Sequence, residues 1–261
     1  SEATEVPAND DVKNTTASKR TKFEVTVGDD GIVKIYGNSD IKTLELTGIL
    51  PFGWNQDKLA NVEWIQITKT KIDILQFPAL EKLHYVRLYQ CEGINRVNVS
   101  ELAKLDTLRI TNTKNSNLSD IDLSNNTELK YLQTPGMSTS DKGKLTYVDL
   151  SNNTKLTDIL LANNSIKTVK FASEYPDLKN ISISGNQLEE LNLASGFPKL
   201  TQLTANQNQL TSITVPNNAF TSLNVSQNKL TFATVPLIAK TYNNQADIEV
   251  ASPVSILDLT D

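Results

Sequence analysis

Cysteine, histidine and methionine each occur once in this chain of 261 residues, and tryptophan only twice. A lone cysteine, Cys91, excludes an internal disulfide. We expect it to be a buried structural thiol, as free cysteines commonly are. With His84 as the only histidine, no Cys/His set can form a zinc site and no nucleophile–His–acid arrangement has a local signature. The net charge of −5 argues against nucleic-acid or anionic-membrane binding. No apolar run approaches membrane-spanning length. Also missing is the stripe of apolar residues at three- and four-residue spacing that marks an amphipathic helix, so little helix is expected.

What is present is repetition. The segments Leu145–Leu156, Leu156–Ile166, Leu178–Leu188, Leu200–Leu210 and Phe220–Leu230 write one pattern, L-x-x-L-x-L-x-x-N-x-L. Its central apolar positions continue back through the chain as Leu44, Ile65, Val86, Leu108, Leu132, Ile159, Ile181, Leu203 and Leu223, spaced by 20 to 27 residues. A second set, Leu75, Val97, Ile121, Val148, Val169, Leu191 and Ile213, lies between them. Alternation with period two means extended chain with one face buried. A coil of about 21 residues cannot bury its own leucines, so successive coils must stack into a continuous core. The asparagine of the pattern can satisfy buried backbone groups of the turn. Asn164, Asn186, Asn208 and Asn228 hold that place in the later coils. Thr70, Cys91 and Thr113 hold it earlier, with Ile49 and Met137 where the pattern departs.

These motifs resemble the leucine-rich repeat. The short coil, with its LDLSNNTxL half alternating with the LxxNxL half, is similar to bacterial surface repeats of the internalin type, and Asn228–Leu237 resembles the end of arrays in surface lipoproteins of Gram-negative gut commensals. The last strand position holds Leu161, Ile183, Ala205 and Val225, so the cysteine ladder of one internalin subgroup has no counterpart here. The resemblance covers roughly residues 41–235. It implies a β-rich solenoid of eight to nine coils with a β-cap at each end, exported to the cell surface, for instance as an outer-membrane lipoprotein. Residues 1–20 are polar and read as a flexible tether. Two alternating runs around Asp29-Asp30-Gly31, within 21–40, signal a hairpin cap. Residues 236–261 read as a C-terminal cap or the start of a further domain.

The outward positions of the asparagine-bearing strands carry the functional signal. Trp64, Gln66, Tyr85, Arg87, Tyr89, Arg109, Tyr131 and Gln133 fall in coils two to five, whereas the later coils show Ser, Thr, Asn and Gln. In one parallel sheet with strands about 4.8 Å apart these side chains form a patch of the residue types that dominate interface hot spots. Aromatics also suit β-strands for packing reasons alone. The expected function is therefore recognition of a protein or a glycan by a monomer that uses no metal or cofactor. The alternative is a rigid spacer for a further C-terminal domain, and catalysis has little support. Asp120, Asp122 and Asp149, beside Asn125-Asn126 and Asn152-Asn153, project from equivalent flanks and offer oxygen to calcium, or simply keep an exposed strand soluble. The segment Gln133–Lys144 breaks the repeat and should protrude, either as part of a binding face or as a tolerated loop.

Overall fold

In the computed structural model, which describes residues 41–48 and 56–231, the period-two pattern becomes a stack of coils. Nine strands share one parallel sheet: β1 (Thr43–Thr47), β2 (Trp64–Thr68), β4 (Tyr85–Tyr89), β6 (Thr107–Thr111), β7 (Tyr131–Gln133), β9 (Asp158–Leu160), β11 (Asn180–Ser182), β13 (Gln202–Thr204) and β15 (Ser222–Asn224). Their register aligns every expected central residue from Leu44 to Leu223. The fold is thus a leucine-rich-repeat solenoid of about eight turns. Its helix among the described residues is one four-residue turn, α1 (Gln56–Leu59). The tether, the hairpin cap, Ile49 and the segment 236–261 lie outside the described residues.

The opposite flank is less regular than its sequence suggests. It carries β3 (Ile74–Gln76), β5 (Arg96–Asn98), β8 (Tyr147–Asp149), β10 (Thr168–Lys170), β12 (Glu190–Asn192) and β14 (Ser212–Thr214), which pair only as β3–β5, β8–β10 and β12–β14. Ile121 is buried but lies in no strand. The inward leucines, isoleucines and valines of both flanks form one apolar core running the length of the stack.

Two columns of asparagine hold the turns. Asn186 Nδ2 donates to the carbonyls of Leu161, Ile183 and Ser184, and its Oδ1 accepts the Ile166 N–H at 3.0 Å. Asn208 and Asn228 repeat the arrangement one and two coils on. The carbonyls of Leu161, Ile183 and Ala205 each thereby receive two asparagines, which links the coils into a zipper. The second column lies outside the repeat consensus. Asn126 donates to the carbonyls of Val99 and Leu102, and Asn153 to those of Leu123 and Asn126. Both side chains are fully buried. In the next coil Tyr175 takes this place. Its hydroxyl donates to the Leu150 carbonyl at 2.7 Å and accepts the Ala172 N–H at 3.1 Å. Its ring stacks on Phe197 with Phe171 edge-on to both.

The earlier coils solve the same problem with backbone. The Ile72 N–H, equivalent to that of Ile166, goes to the Glu92 carbonyl, and Lys71, Glu92 and Lys114 form β-bridges. Thr70 and Cys91 are buried in the asparagine column and bond strand carbonyls, Cys91 through a weak thiol contact of 3.4 Å to Ile67. Thr113 is only half buried and Met137 is exposed. These last two side chains therefore do not occupy the inward slot that the pattern assigns them.

Candidate binding face

The outward columns of β2, β4, β6 and β7 are set by register. One reads Trp64, Tyr85, Thr107, Tyr131; the next reads Gln66, Arg87, Arg109, Gln133; Tyr89 stands in a third between Thr68 and Thr111. Strands about 4.8 Å apart bring neighbouring side chains into contact, and the eight candidate residues sort into three groups. Trp64 and Tyr85 stack, with ring centroids 5.2 Å apart and planes at 18°. Arg87 lies over the Tyr89 ring at 4.5 Å and donates to Gln66 Oε1 at 3.2 Å. Arg109 lies over the Tyr131 ring at 5.6 Å and donates through Nε to Gln133 Oε1 at 2.8 Å. All eight side chains are half-buried. The structure thus brings the sequence candidates together, with Thr107 as the gap between Tyr85 and Tyr131.

Among the described residues the two arginines are oriented without an ionic partner. Elsewhere, Lys42–Glu63, Lys130–Asp106, Lys155–Glu128, Lys170–Asp149 and Lys199–Asp177 each pair a lysine with a carboxylate one coil away. Arg87 and Arg109, adjacent in register, have no carboxylate partner among the described residues. Their charge is oriented by neutral amides and rings instead, in a molecule whose net charge is negative. Guanidinium groups held this way present forked donors to an incoming carboxylate or carbonyl.

The remaining candidates are occupied locally. Asp149 accepts from the Ser151 hydroxyl and N–H and from Lys170, and these bonds, the serine hydroxyl foremost, hold its carboxyl well below the usual range. The Ser124 hydroxyl and N–H do the same for Asp122, and Asp120 accepts from Ser119. The oxygens offered to calcium are therefore engaged in turn chemistry. Among the described residues no group of three or more His, Cys, Asp or Glu side chains could hold a metal. His84 Nδ1 lies 3.6 Å from Asp106. Cys91 is inaccessible, and burial pushes its thiol up. No helix among the described residues is long and apolar enough to cross a membrane.

The insertion is compact. The Gly136 and Gly143 N–H groups donate to Ala162 and Asn163, and a Cβ at either glycine would collide with Asn163 or Asn164. Between them, Met137 and Ser138 close on the Asp141 carbonyl. A cavity of about 320 Å³ lies beneath, between the turns that follow β6 and β7. No sequence signal marked it.

Neither a protein-family model nor a curated protein matches this chain. Solved structures do. The functional domain of InlJ from Listeria monocytogenes, which includes a cysteine ladder, matches at 21% identity and a TM-score of 0.55, over 74% of this chain and 46% of that one. This chain therefore spans about half the length of that protein's resolved chain. A leucine-rich-repeat protein of Leptospira interrogans is 12% identical over 74% of this chain and 73% of its own, with a TM-score of 0.32. The Listeria monocytogenes internalin inlF is 20% identical over 80% of this chain and 87% of its own, with a TM-score of 0.28. The likeness to InlJ establishes the fold, a leucine-rich-repeat solenoid.

Proposed function

We propose that the chain is a recognition module, exported to the cell surface, that binds a protein through the N-terminal half of its large sheet. The observation that carries this is the pair Arg87 and Arg109: two cations without carboxylate partners, fixed by Gln66, Tyr89, Tyr131 and Gln133 beside the Trp64–Tyr85 stack. Rings with few rotatable bonds and pre-oriented guanidiniums lower the ordering cost of association. A protein fits better than a glycan. Trp64 and Tyr85 cover a face of each other, which removes flat area on which a sugar ring would stack. The fold likeness to InlJ is consistent with this reading and says nothing about which partner is bound.

A rigid spacer role is the second reading. Its support is the face from Asp158 to Asn224, polar apart from Leu160, which shows no comparable cluster. A pull-down against host-surface and cell-wall components, followed by affinity measurements on variants, separates the two. Trp64→Ala and Tyr85→Ala should each weaken binding by about 2 kcal/mol or more. Ser182→Ala and Thr204→Ala should leave it unchanged. The opposite pattern would put the working surface on the wrong half of the solenoid.

A further inference from the structure

One ladder of this solenoid has a missing rung. The residue four places after the central apolar position of a strand in the large sheet donates its N–H to the following coil: Gly48 to Thr68, Lys69 to Tyr89, Gln90 to Thr111, Gly136 to Ala162, Asn163 to Ser184, Gly185 to Asn206 and Gln207 to Ser226. The N–H of Asn112, due to reach coil five, makes no such bond. The sheet parts at the same place. β6 runs to Thr111, but its pairing with β7 covers Thr107–Tyr131, Leu108–Leu132 and Arg109–Gln133 and stops there.

The side chains facing the gap are unsatisfied in the same way. Asn186, Asn208 and Asn228 each accept a backbone N–H at Oδ1. Asn164 makes its three Nδ2 bonds, but its Oδ1 has no donor. The Thr134 hydroxyl is buried, with the residue 4% exposed, and has no partner. Both residues line the cavity of about 320 Å³, with Ile110 on the facing coil and Lys142 and Lys144 in its rim. Neither lysine has an ionic partner among the described residues. Asp141 shares that rim. The adjoining groove adds Lys69, Lys71 and Lys114 against Glu92, and Met137 is common to both hollows. Five lysines thus face two carboxylates in a chain of net negative charge.

We infer that this cleft binds an extended, acidic peptide segment of a partner protein. A strand laid beside Ile110–Thr111 supplies what coil five withholds: a carbonyl for the Asn112 N–H and an N–H for Asn164 Oδ1. This is strand addition to a sheet edge, in which main-chain bonds give affinity and side-chain contacts give selectivity. The lysines select carboxylates, and the exposed thioether of Met137, 41% accessible, offers an apolar contact that an anionic polysaccharide has no side chain to use. The proposal deepens the protein-binding reading but stands on residues outside the aromatic patch.

Met137 is the only methionine in the chain, so a ¹³C-methyl-methionine label places one NMR signal at the cleft. The probes are a library of hexapeptides with glutamate at alternate positions, its glutamine counterpart and trigalacturonate, each titrated against the full chain. The acidic peptides should shift the Met137 signal saturably, with the best members tighter than about 1 mM. The glutamine library, or the double variant Lys142→Ala/Lys144→Ala, should bind at least about tenfold more weakly. The Trp64→Ala variant should behave as wild type, which separates failure of the cleft from failure of the patch. A signal unmoved by every acidic peptide, a shift that survives loss of both lysines, or a response to trigalacturonate alone would overturn the assignment.

Discussion

The asparagine zipper makes a quantitative prediction because its rungs are not equivalent. Asn186→Ala removes four hydrogen bonds, but the carbonyls of Leu161 and Ile183 keep Asn164 and Asn208 as donors. What is stranded is the N–H of Ile166, a residue with no exposed surface. An orphaned buried donor costs about 1–3 kcal/mol, and the vacated amide volume adds about 1 kcal/mol if the turn does not collapse. The expected loss is therefore about 2–4 kcal/mol. Asn164→Ala should cost less, by about 1 kcal/mol or more, because Asn164 Oδ1 satisfies no N–H. The group it strands, the Thr134 carbonyl, belongs to a residue lining a cavity that water can enter. Urea unfolding followed by circular dichroism gives the two losses, and hydrogen exchange at the Ile166 amide reports the local opening. Coils of a solenoid open partly independently, so the amide measurement is the sharper one. Equal losses, or an Ile166 amide no less protected in Asn186→Ala, would refute the claim that the oxygen of each later rung holds the neighbouring turn.

Tyr175→Phe should destabilise by about 2–3 kcal/mol, since one hydroxyl serves both Ala172 and Leu150 inside the core. Burial first of all pushes the Tyr175 hydroxyl up to about 12; its unfolded value is about 10. The folded chain thus holds this proton more tightly, so its contribution is intact below pH 10 and is lost as pH rises from there towards 12. Denaturation across that window should show the slope in wild type and a reduced one in Tyr175→Phe; identical slopes would remove Tyr175 as the cause. Gln207 stands at a left-handed φ of 56°, so Gln207→Gly should stabilise by roughly 0.5–1 kcal/mol. Gly185→Ala should destabilise, because φ is 69° there and a Cβ would run into Asn163. A thermal midpoint moving the other way in either variant would contradict the left-handed column.

The fold was legible because its signal is periodic. The central residues of all nine strands were in the sequence, and so was the column of Asn164, Asn186, Asn208 and Asn228, each of which bonds strand-end carbonyls in the structure. The membership of the patch was legible too, since Trp64, Tyr85 and Arg87 occupy outward positions of a sheet whose register the repeat dictates. What escaped was pairing that depends on side-chain direction. That Arg87 turns back to Gln66 while Arg109 turns forward to Gln133 follows from rotamers, not from spacing. The second asparagine column escaped for another reason. Asn126 and Asn153 sit in LSNNT strings that look like ordinary turns, and Tyr175 replaces the amide by a phenol that no pattern equates with it. The opposite flank shows the converse: its apolar alternation continues through Ile121, but alternation reports burial and does not ensure a hydrogen-bonded neighbour.

The raggedness of the asparagine column before Leu156 reads in sequence as a decaying repeat. The structure shows a change of solution instead. In the early coils the buried N–H of Ile72 is met by the Glu92 carbonyl, and the Lys71–Glu92–Lys114 bridges carry the turns. In the later coils the equivalent N–H is met by asparagine Oδ1. Lys114 is the last residue of the first system and Asn164 the first of the second. Coil five belongs to neither, and the cleft opens at that seam. If the two systems are alternatives, an asparagine placed in an early coil has no N–H left to accept. Cys91→Asn should then be neutral or destabilising, because the new Oδ1 would be buried without a donor at a cost of about 1–3 kcal/mol, against carbonyl bonds already made by the thiol. Restoring the consensus residue would ordinarily be expected to stabilise a repeat by about 0.5–2 kcal/mol. Urea denaturation of this one variant decides between the two views: a gain of about 1 kcal/mol or more would mean that the early turns are imperfect copies of the later ones, and the account of the seam would fall with them.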